Sequence, residues 1–508
     1  MTEPSSPSTA SAASPPGNGS PSPHAARASA STMGFFGVGA AAVGVKNAVF
    51  GSFLLLYYNQ VLGLEAHLAS IALAVALVVD AVSDPLVGAW SDHVRTRLGR
   101  RHPFMYASIL PFSISVYFLL QPPAGLSSGD LFLYLLALSV LVRLSMTFFE
   151  VPRTALGPEL TKDYEQRTAL FGVSNVFGWV GTAAMVALSY GVLFPETEAY
   201  PGSTALLNPA GYASMAWIAA IAVFVATLVS TLGLQGQVGR LYTPPESRRL
   251  HFGEVLKEAR ETLSNRSWLM IFLSGIVFAL FIGLHAGTEQ FYNVYFWQWI
   301  PAQLKLIPLI QIVAVIAAGS MAGRIAKGKD KKRVAVALFA ATVVIGPLPV
   351  GLRLLSEATG APIFPANGTD ALWWVILSHT LLMSALAVVG FILIGSMVAD
   401  IVEQSQEATG RRSEGLLSAG PALAQKTVSA GGVLLTGFLL SAFGFDTPNP
   451  TVEMMQQPIH DLAVFHVILG VSLPVVSTIL VSRYTITREG HEKRIAQLGY
   501  VEEDDASS

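Results

Sequence analysis

The sequence predicts an all-α membrane protein with twelve transmembrane helices in two six-helix bundles and both termini cytosolic. Three observations carry this. Hydrophobic residues make up 52% of the 508 positions and charged ones only 13%, about half the charge of an ordinary soluble domain, and the mean hydropathy is +0.53. The apolar residues gather into blocks of about 20, the length that crosses a bilayer core as a helix. Lysine and arginine then fall in alternate breaks between those blocks, as cytosolic loops require.

The first 33 residues are rich in Ser, Pro and Ala. They hold too little apolar surface to offset the entropy of ordering, which predicts a disordered tail. The tail lacks the basic start and apolar core of a signal peptide. The apolar blocks predict spans at 34–62, 68–91, 103–121, 130–157, 168–194 and 211–236, then 268–298, 303–325, 332–354, 371–403, 413–443 and 460–484. A polar segment, 237–267, separates the bundles 34–236 and 268–484, and residues 485–508 form a polar cytosolic tail.

The basic breaks include Arg95, Arg97, Arg100 and Arg101 after the second block, and Arg153, Lys162 and Arg167 after the fourth. The central segment and the break after the eighth block are basic as well, whereas the opposite breaks hold only Lys305 and Arg353. A Gly–Asp–basic pattern at Gly88, Asp92, Arg95 and Arg97 has a weaker counterpart from Gly323. Such a repeat suits two bundles rocking about a central site, with the Gly88 loop as a gating element. Cysteine is absent, which excludes disulfides and thiol chemistry. No nucleophile–base constellation and no metal cluster stands out, so an enzyme is the least expected reading.

Each ionisable residue within a span costs about 2.5–3.5 kcal/mol and needs a reason. Asp80 and Asp84 lie four residues apart in VVDAVSDPLVG, on one helix face about 6 Å apart along the axis. Two carboxylates that close share a proton or hold a cation. Pro85 also frees the carbonyl of Ala81. Arg143, Thr147, Glu150 and Thr154 form a polar stripe in the fourth block, Arg143 being either a structural partner of Glu150 or an Asp, or a counter-ion of the site. Lys46 and Lys426 lie well inside their spans and suit counter-ions to the carboxylates, although Lys46 is also placed to snorkel. His285, Glu289, Gln290 and Asn293 form a second polar stripe, in the seventh block, suited to the C-terminal half of the cavity, although a lone His285 also suits a satisfied core position. Asp400, near the inner end of the tenth, is expected to pair with a loop arginine.

The stretch DAVSDPLVGAWSDHVRTRLGRRHPF resembles the signature of the glycoside–pentoside–hexuronide:cation symporters, the melibiose permease family of the major facilitator superfamily. GVKNAVFGSFLLLYYNQVLGL, MTFFEVPRTALGPELTKDYEQRTAL and MVADIVEQSQEATGRRSEGLLSAGPALAQKTVSAGG extend the resemblance from about residue 34 to 490. It implies that Asp80, Asp84 and Thr147 bind the coupling cation, and that Lys426 links cation and solute sites. By the same resemblance, Asn47, Glu150, Thr154 and Asn175 stand at sugar-binding positions, each with a residue type that departs from melibiose permease.

The implied activity is symport of a sugar, glycoside or similar small solute by alternating access, coupled to Na+ or H+, with no cofactor. The expected partners are the solute, the cation and the lipid bilayer, with no nucleic acid; a monomer in the plasma membrane, or the inner membrane of a bacterium, is expected. The altered sugar positions leave open an amphiphilic solute, such as a lysolipid or a steroid-like acid, and a transport-inactive sensor.

Overall fold

The structure is a computed structural model and describes residues 28–161, 163–238, 266–326, 329–409, 414–448 and 450–485; the side chains of 164–165, 320–326, 399, 402–409 and 414–427 lie outside the description. Most of the predicted tails and of the central segment therefore lie outside it too. The described residues are helical, with no strand among them. The helices are α1 (Ala30–Ala48), α2 (Ala66–His93), α3 (His102–Leu119), α4 (Ser128–Leu160), α5 (Tyr164–Leu188), α6 (Pro209–Gln235) and α7 (Arg266–Phe291). They continue as α8 (Pro301–Leu304), α9 (Ile307–Ala326), α10 (Lys331–Ile345), α11 (Leu348–Thr359), α12 (Asp370–Thr409), α13 (Glu414–Ala442) and α14 (Gln456–Ser482). Among the described residues, ten helical rods are long and apolar enough to cross a membrane.

Helix boundaries follow local chemistry. The Ser29 side chain accepts from the amide of Thr32 and caps α1. Gln166 binds both the amide and the carbonyl of Ala28, at 2.8 and 3.0 Å. The helix thus starts at Ala30, inside the segment read as tail. Between α10 and α11 the chain reads Ile345-Gly346-Pro347-Leu348-Pro349. Pro349 has no N–H for the carbonyl of Ile345, and His379 of α12 supplies the missing bond at 2.9 Å.

Helix α1 packs on α5 and α6, and α2 packs on α4 and α13. Small residues allow these close approaches, as expected where lipid supplies no hydrophobic drive between helices. A Cβ on Gly44 would lie 2.2 Å from the carbonyl oxygen of Gly178, and one on Gly181 2.5 Å from that of Ala41.

The two halves repeat. Helix α1 continues to Val61 and ends in a π turn, Tyr57–Val61, and α7 ends in another, Tyr292–Phe296. In the first, Leu62 and Leu64 donate to the carbonyls of Tyr57 and Tyr58; in the second, Trp297 and Trp299 donate to those of Tyr292 and Asn293. The offset is 235 positions (292 − 57), and it equals the spacing of Gly88 and Gly323 (323 − 88). Two observations that share no residue give one repeat length, as two bundles built from one ancestral unit would.

Packing differs between the two ends. At the end away from the termini, one apolar core joins both bundles, with Phe53, Tyr58, Phe194 and Tyr212 meeting Phe291, Trp299, Leu372 and Phe445. Polar bonds cross there as well: Gln60 donates to the carbonyl of Phe445 at 2.6 Å, Tyr295 donates to Gln60 at 2.6 Å, and Asp446 accepts from the amide of Ala66 at 2.8 Å. At the end bearing the termini each bundle keeps its own cores. Phe36, Phe149 and Leu234 serve the first, and Trp268, Met397 and Tyr484 the second. The halves are therefore clasped at one end and parted at the other.

Candidate functional site

Two neighbouring groups of polar residues lie in the first bundle, back to back across α1 and α4. The first is the carboxylate pair. Asp80 is buried, and Arg143 of α4 approaches its Oδ2 at 3.3 Å. The Thr147 hydroxyl lies 3.2 Å from Asp80 Oδ1 and 3.1 Å from Asp84 Oδ1, with Ser83 Oγ at 3.3 Å. Helical spacing explains the meeting: Asp80 and Asp84 are one turn apart on α2, and Arg143 and Thr147 one turn apart on α4. A single hydroxyl proton serves only one carboxylate at a time. Oxygens 3.1–3.3 Å apart are, however, spaced as adjacent ligands of a hard cation held at about 2.3–2.6 Å, so these oxygens fit such an ion. The Phe50 ring lies under both Lys46, at 5.6 Å, and Arg143, at 5.1 Å. Lys46 is 3% exposed, which excludes snorkelling to the surface. Of the proposed site residues, Lys426 falls on α13 where side chains lie outside the description.

The second group lines a cavity of about 590 Å³, a size suited to a small organic molecule. Asn47, Glu150, Thr154 and Asn175 all reach it from the first bundle, and Glu289, Asn293 and Gln311 reach it from the second. Next along α5 from Asn175 comes Trp179, 57% exposed and also on the cavity wall. An aromatic face beside hydrogen-bonding amides is a platform for a sugar ring or a similar polar ring.

Two residues of the α7 stripe stand elsewhere. Successive residues on a helix point about 100° apart, which separates Gln290 from Glu289, whereas His285 lies a full turn before Glu289, about 40° off its direction. Glu289 and Asn293 share the cavity side. Gln290 is turned toward α5 and donates to Tyr190 at 2.7 Å. His285 lines a separate small pocket with Phe281, Leu462 and His466. Asp400 pairs with Lys331, at the start of α10, at 2.7 Å.

Arg153 departs most from the sequence reading. Far from anchoring a cytosolic loop, it is 1% exposed and lines the cavity, because α4 continues through Pro152 and Pro158 to Leu160. Its Nη1 donates to the Phe36 carbonyl at 2.7 Å and to Ser174 at 3.1 Å, and its Nη2 lies 3.8 Å from Glu150. Gly39 makes room for it, since a Cβ there would stand 2.5 Å from Arg153 Cδ. Removing the guanidinium strips buried acceptors of a donor, at about 1–3 kcal/mol. Arg153→Met is expected to lower the thermal-unfolding midpoint in detergent by that equivalent, and an unchanged midpoint would contradict the bonding described.

In the loop after α2, Asp92 pairs with Arg101 at 3.0 Å, and Glu159 of α4 pairs with Arg101 at 2.9 Å and with Arg100. Arg95 and Arg97 are exposed, and Gly88 faces Val151 across an ordinary contact. The loop is thus fastened to α4 through Arg100 and Arg101, residues the Gly–Asp–basic pattern had not singled out.

An all-helical fold of two repeated bundles, clasped at one end around a polar cavity, defines a secondary transporter of the major facilitator type, a multi-pass membrane protein and not an enzyme. The chain belongs to the MFS/sugar transport protein family, whose model matches residues 35–488. It is 26% identical to an uncharacterized symporter of Synechocystis over 86% of this chain and 91% of that one. It is 22% identical to the isoprimeverose transporter of Lactiplantibacillus pentosus over 78% of this chain and 77% of that one. Among solved structures, the xylose transporter XylE of Escherichia coli, in a partially occluded inward-open conformation, superposes with a TM-score of 0.59 at 13% identity, covering 91% of this chain and 98% of that one. The symporter relatives imply a coupling cation and a small-molecule solute.

Proposed function

We propose that this protein is a cation-coupled symporter of a sugar or glycoside, with Na+ or H+ held at Asp80, Asp84 and Thr147 and the solute held in the cavity. In this reading twelve helices span the membrane, α3 and α13 completing the count, with both termini cytosolic and the cavity open to the cytosol. The protein works as a monomer in the plasma membrane. The observation that carries the reading is the sharing of two helices by the two polar groups. On α1, Lys46 is buried over the Phe50 ring that it shares with Arg143, while its neighbour Asn47 faces the cavity. On α4, Arg143 and Thr147 serve the carboxylates and Glu150 and Thr154 the cavity. A cation that draws Asp80, Asp84 and Thr147 together shifts the rods carrying the solute ligands, and linkage makes the solute favour the cation equally. Lys46, Arg143 and Lys426 are the counter-ions of this exchange, and the Gly88 loop, fastened to α4 through Arg100 and Arg101, moves with its bundle.

Counterflow in proteoliposomes, with glycosides, sugar acids and amphiphiles each tested with and without Na+, checks the reading. Exchange of sugars supports it. Exchange of lysolipids or steroid-like acids, with none of sugars, would replace the cargo while keeping the fold. Within the site, Trp179→Ala is expected to raise the half-saturating sugar concentration about tenfold, since a ring platform contributes about 1 kcal/mol or somewhat more. Trp179→Phe is expected to lose less.

A further inference from the structure

We infer that the cavity selects a solute bearing a protonated amine, an amino sugar within the sugar class, and that Glu289 anchors the amine. The inference rests on the transport reading above and adds the charge of the cargo. Three charged residues line the cavity among those described: Glu150, Arg153 and Glu289. The first two compensate one another across 3.8 Å, and Arg153 is held by Phe36 and Ser174 on its other side. It has no freedom to swing across to α7. Glu289 has no ion pair and no hydrogen bond among the described residues, so the described part of the lining carries one carboxylate in excess.

The surroundings keep Glu289 aimed at the solute. Its neighbour Gln290 is tied to Tyr190 of the opposite bundle, and Asn293 lies 3.4 Å from Gln290. That tie fixes the rotation of α7, leaving the Glu289 face toward the cavity. In the parted state water satisfies the carboxylate. Closure about the solute removes that water, and an ionised carboxylate accepts but cannot donate. Stripping an unpaired charge of water is strongly unfavourable. A neutral sugar brings donors but leaves the charge uncancelled, whereas an ammonium brings three donors and cancels it. The ring of the same solute meets Trp179, Asn175 and Asn47 on the facing wall. One molecule then bridges both bundles, and closure gains most when the amine is present.

The test is counterflow of radiolabelled glucosamine, glucose and N-acetylglucosamine by the full chain in proteoliposomes, at fixed cation concentration. Half-saturation for glucosamine is expected at least tenfold below that for glucose, with N-acetylglucosamine, which keeps the ring and loses the charge, matching glucose. Glu289→Gln is expected to bring the glucosamine-to-glucose ratio near one, and Glu289→Asp to restore part of the preference, with both variants checked for folding by thermal midpoint. Equal handling of the three sugars by the unaltered protein, or a preference that survives Glu289→Gln, overturns the amine anchor and leaves the sugar reading standing. Neutral-sugar transport whose pH dependence disappears in Glu289→Gln, without any amine preference, makes Glu289 a proton site and also overturns it. Exchange of none of the sugars overturns the sugar reading itself.

Discussion

Asp84→Asn is expected to reduce cation-driven solute accumulation at least a hundredfold while the protein still folds. Asp84 is half-buried and its carboxylate lies beside Thr147; the amide keeps the shape and loses the charge that a cation needs. Uptake driven by an imposed cation gradient measures the loss, and cation-stimulated solute binding is expected to vanish with it. Asp80→Asn differs in kind. Asp80 is 1% exposed and faces the buried Arg143, so its removal leaves a guanidinium without its partner, at about 3–5 kcal/mol. The expected sign is loss of folded protein as well as of transport. Adding Arg143→Gln to Asp80→Asn is expected to recover folding without recovering coupling, a separation that double-variant comparison resolves. Full coupled accumulation with both aspartates replaced by asparagine would remove the cation site from consideration.

Gly437→Ala is expected to unclasp the joined end. A Cβ at this position of α13 would stand 1.9 Å from Ser70 Oγ, 2.2 Å from Ser70 Cβ and 2.5 Å from the carbonyl oxygen of Ala66. Rotation of Ser70 relieves the first contact but not the other two, so α2 and α13 must separate. Overpacking of this kind costs about 1–3 kcal/mol, a shift of about 5- to 150-fold between the two states of a rocking protein. The absence of native cysteine makes the measurement direct. With Ala183→Cys on the cavity wall, an impermeant thiol reagent applied from the side away from the termini is expected to label Gly437→Ala protein faster than the parent. Ser70→Gly is expected to rescue only in part, because the Ala66 carbonyl remains. Equal labelling of parent and variant would show that this crossing does not hold the clasp.

The legible part of the molecule was the part that membrane energetics makes expensive. Apolar blocks located the helices because a bilayer demands about 20 such residues in a row. Asp80, Asp84, Arg143 and Thr147 stood out because charge is rare in those blocks, and helical spacing alone brought them together. Asn47, Glu150, Thr154 and Asn175 came from the resemblance, and they share one cavity. Trp179 left no signal, since an aromatic in an apolar block looks like any other lipid-facing residue. Arg153 was hidden by its company: it counted with Lys162 and Arg167 as a basic residue of the break after the fourth block, whereas the helix runs on to Leu160. On α7, His285 and Gln290 differ from Glu289 by a four-residue step and a one-residue step. Which flank of so narrow a stripe meets the cavity depends on the packing of α5 and α14, and that packing is written in other segments of the chain.

The space at Gly39 binds the histories of two positions 114 residues apart (153 − 39). While an arginine occupies 153, any side chain at 39 collides with its stem. A smaller residue at 153 would relieve only that contact: a Cβ at 39 would still stand 2.6 Å from Ser230 Oγ and 3.0 Å from Phe149 Cζ, so alanine would enter only with Ser230 rotated away, and the arginine could then not return without first reversing that change. Substitutions at these two sites should therefore be order-dependent: the arginine bars a side chain at 39, and a side chain at 39 bars the arginine.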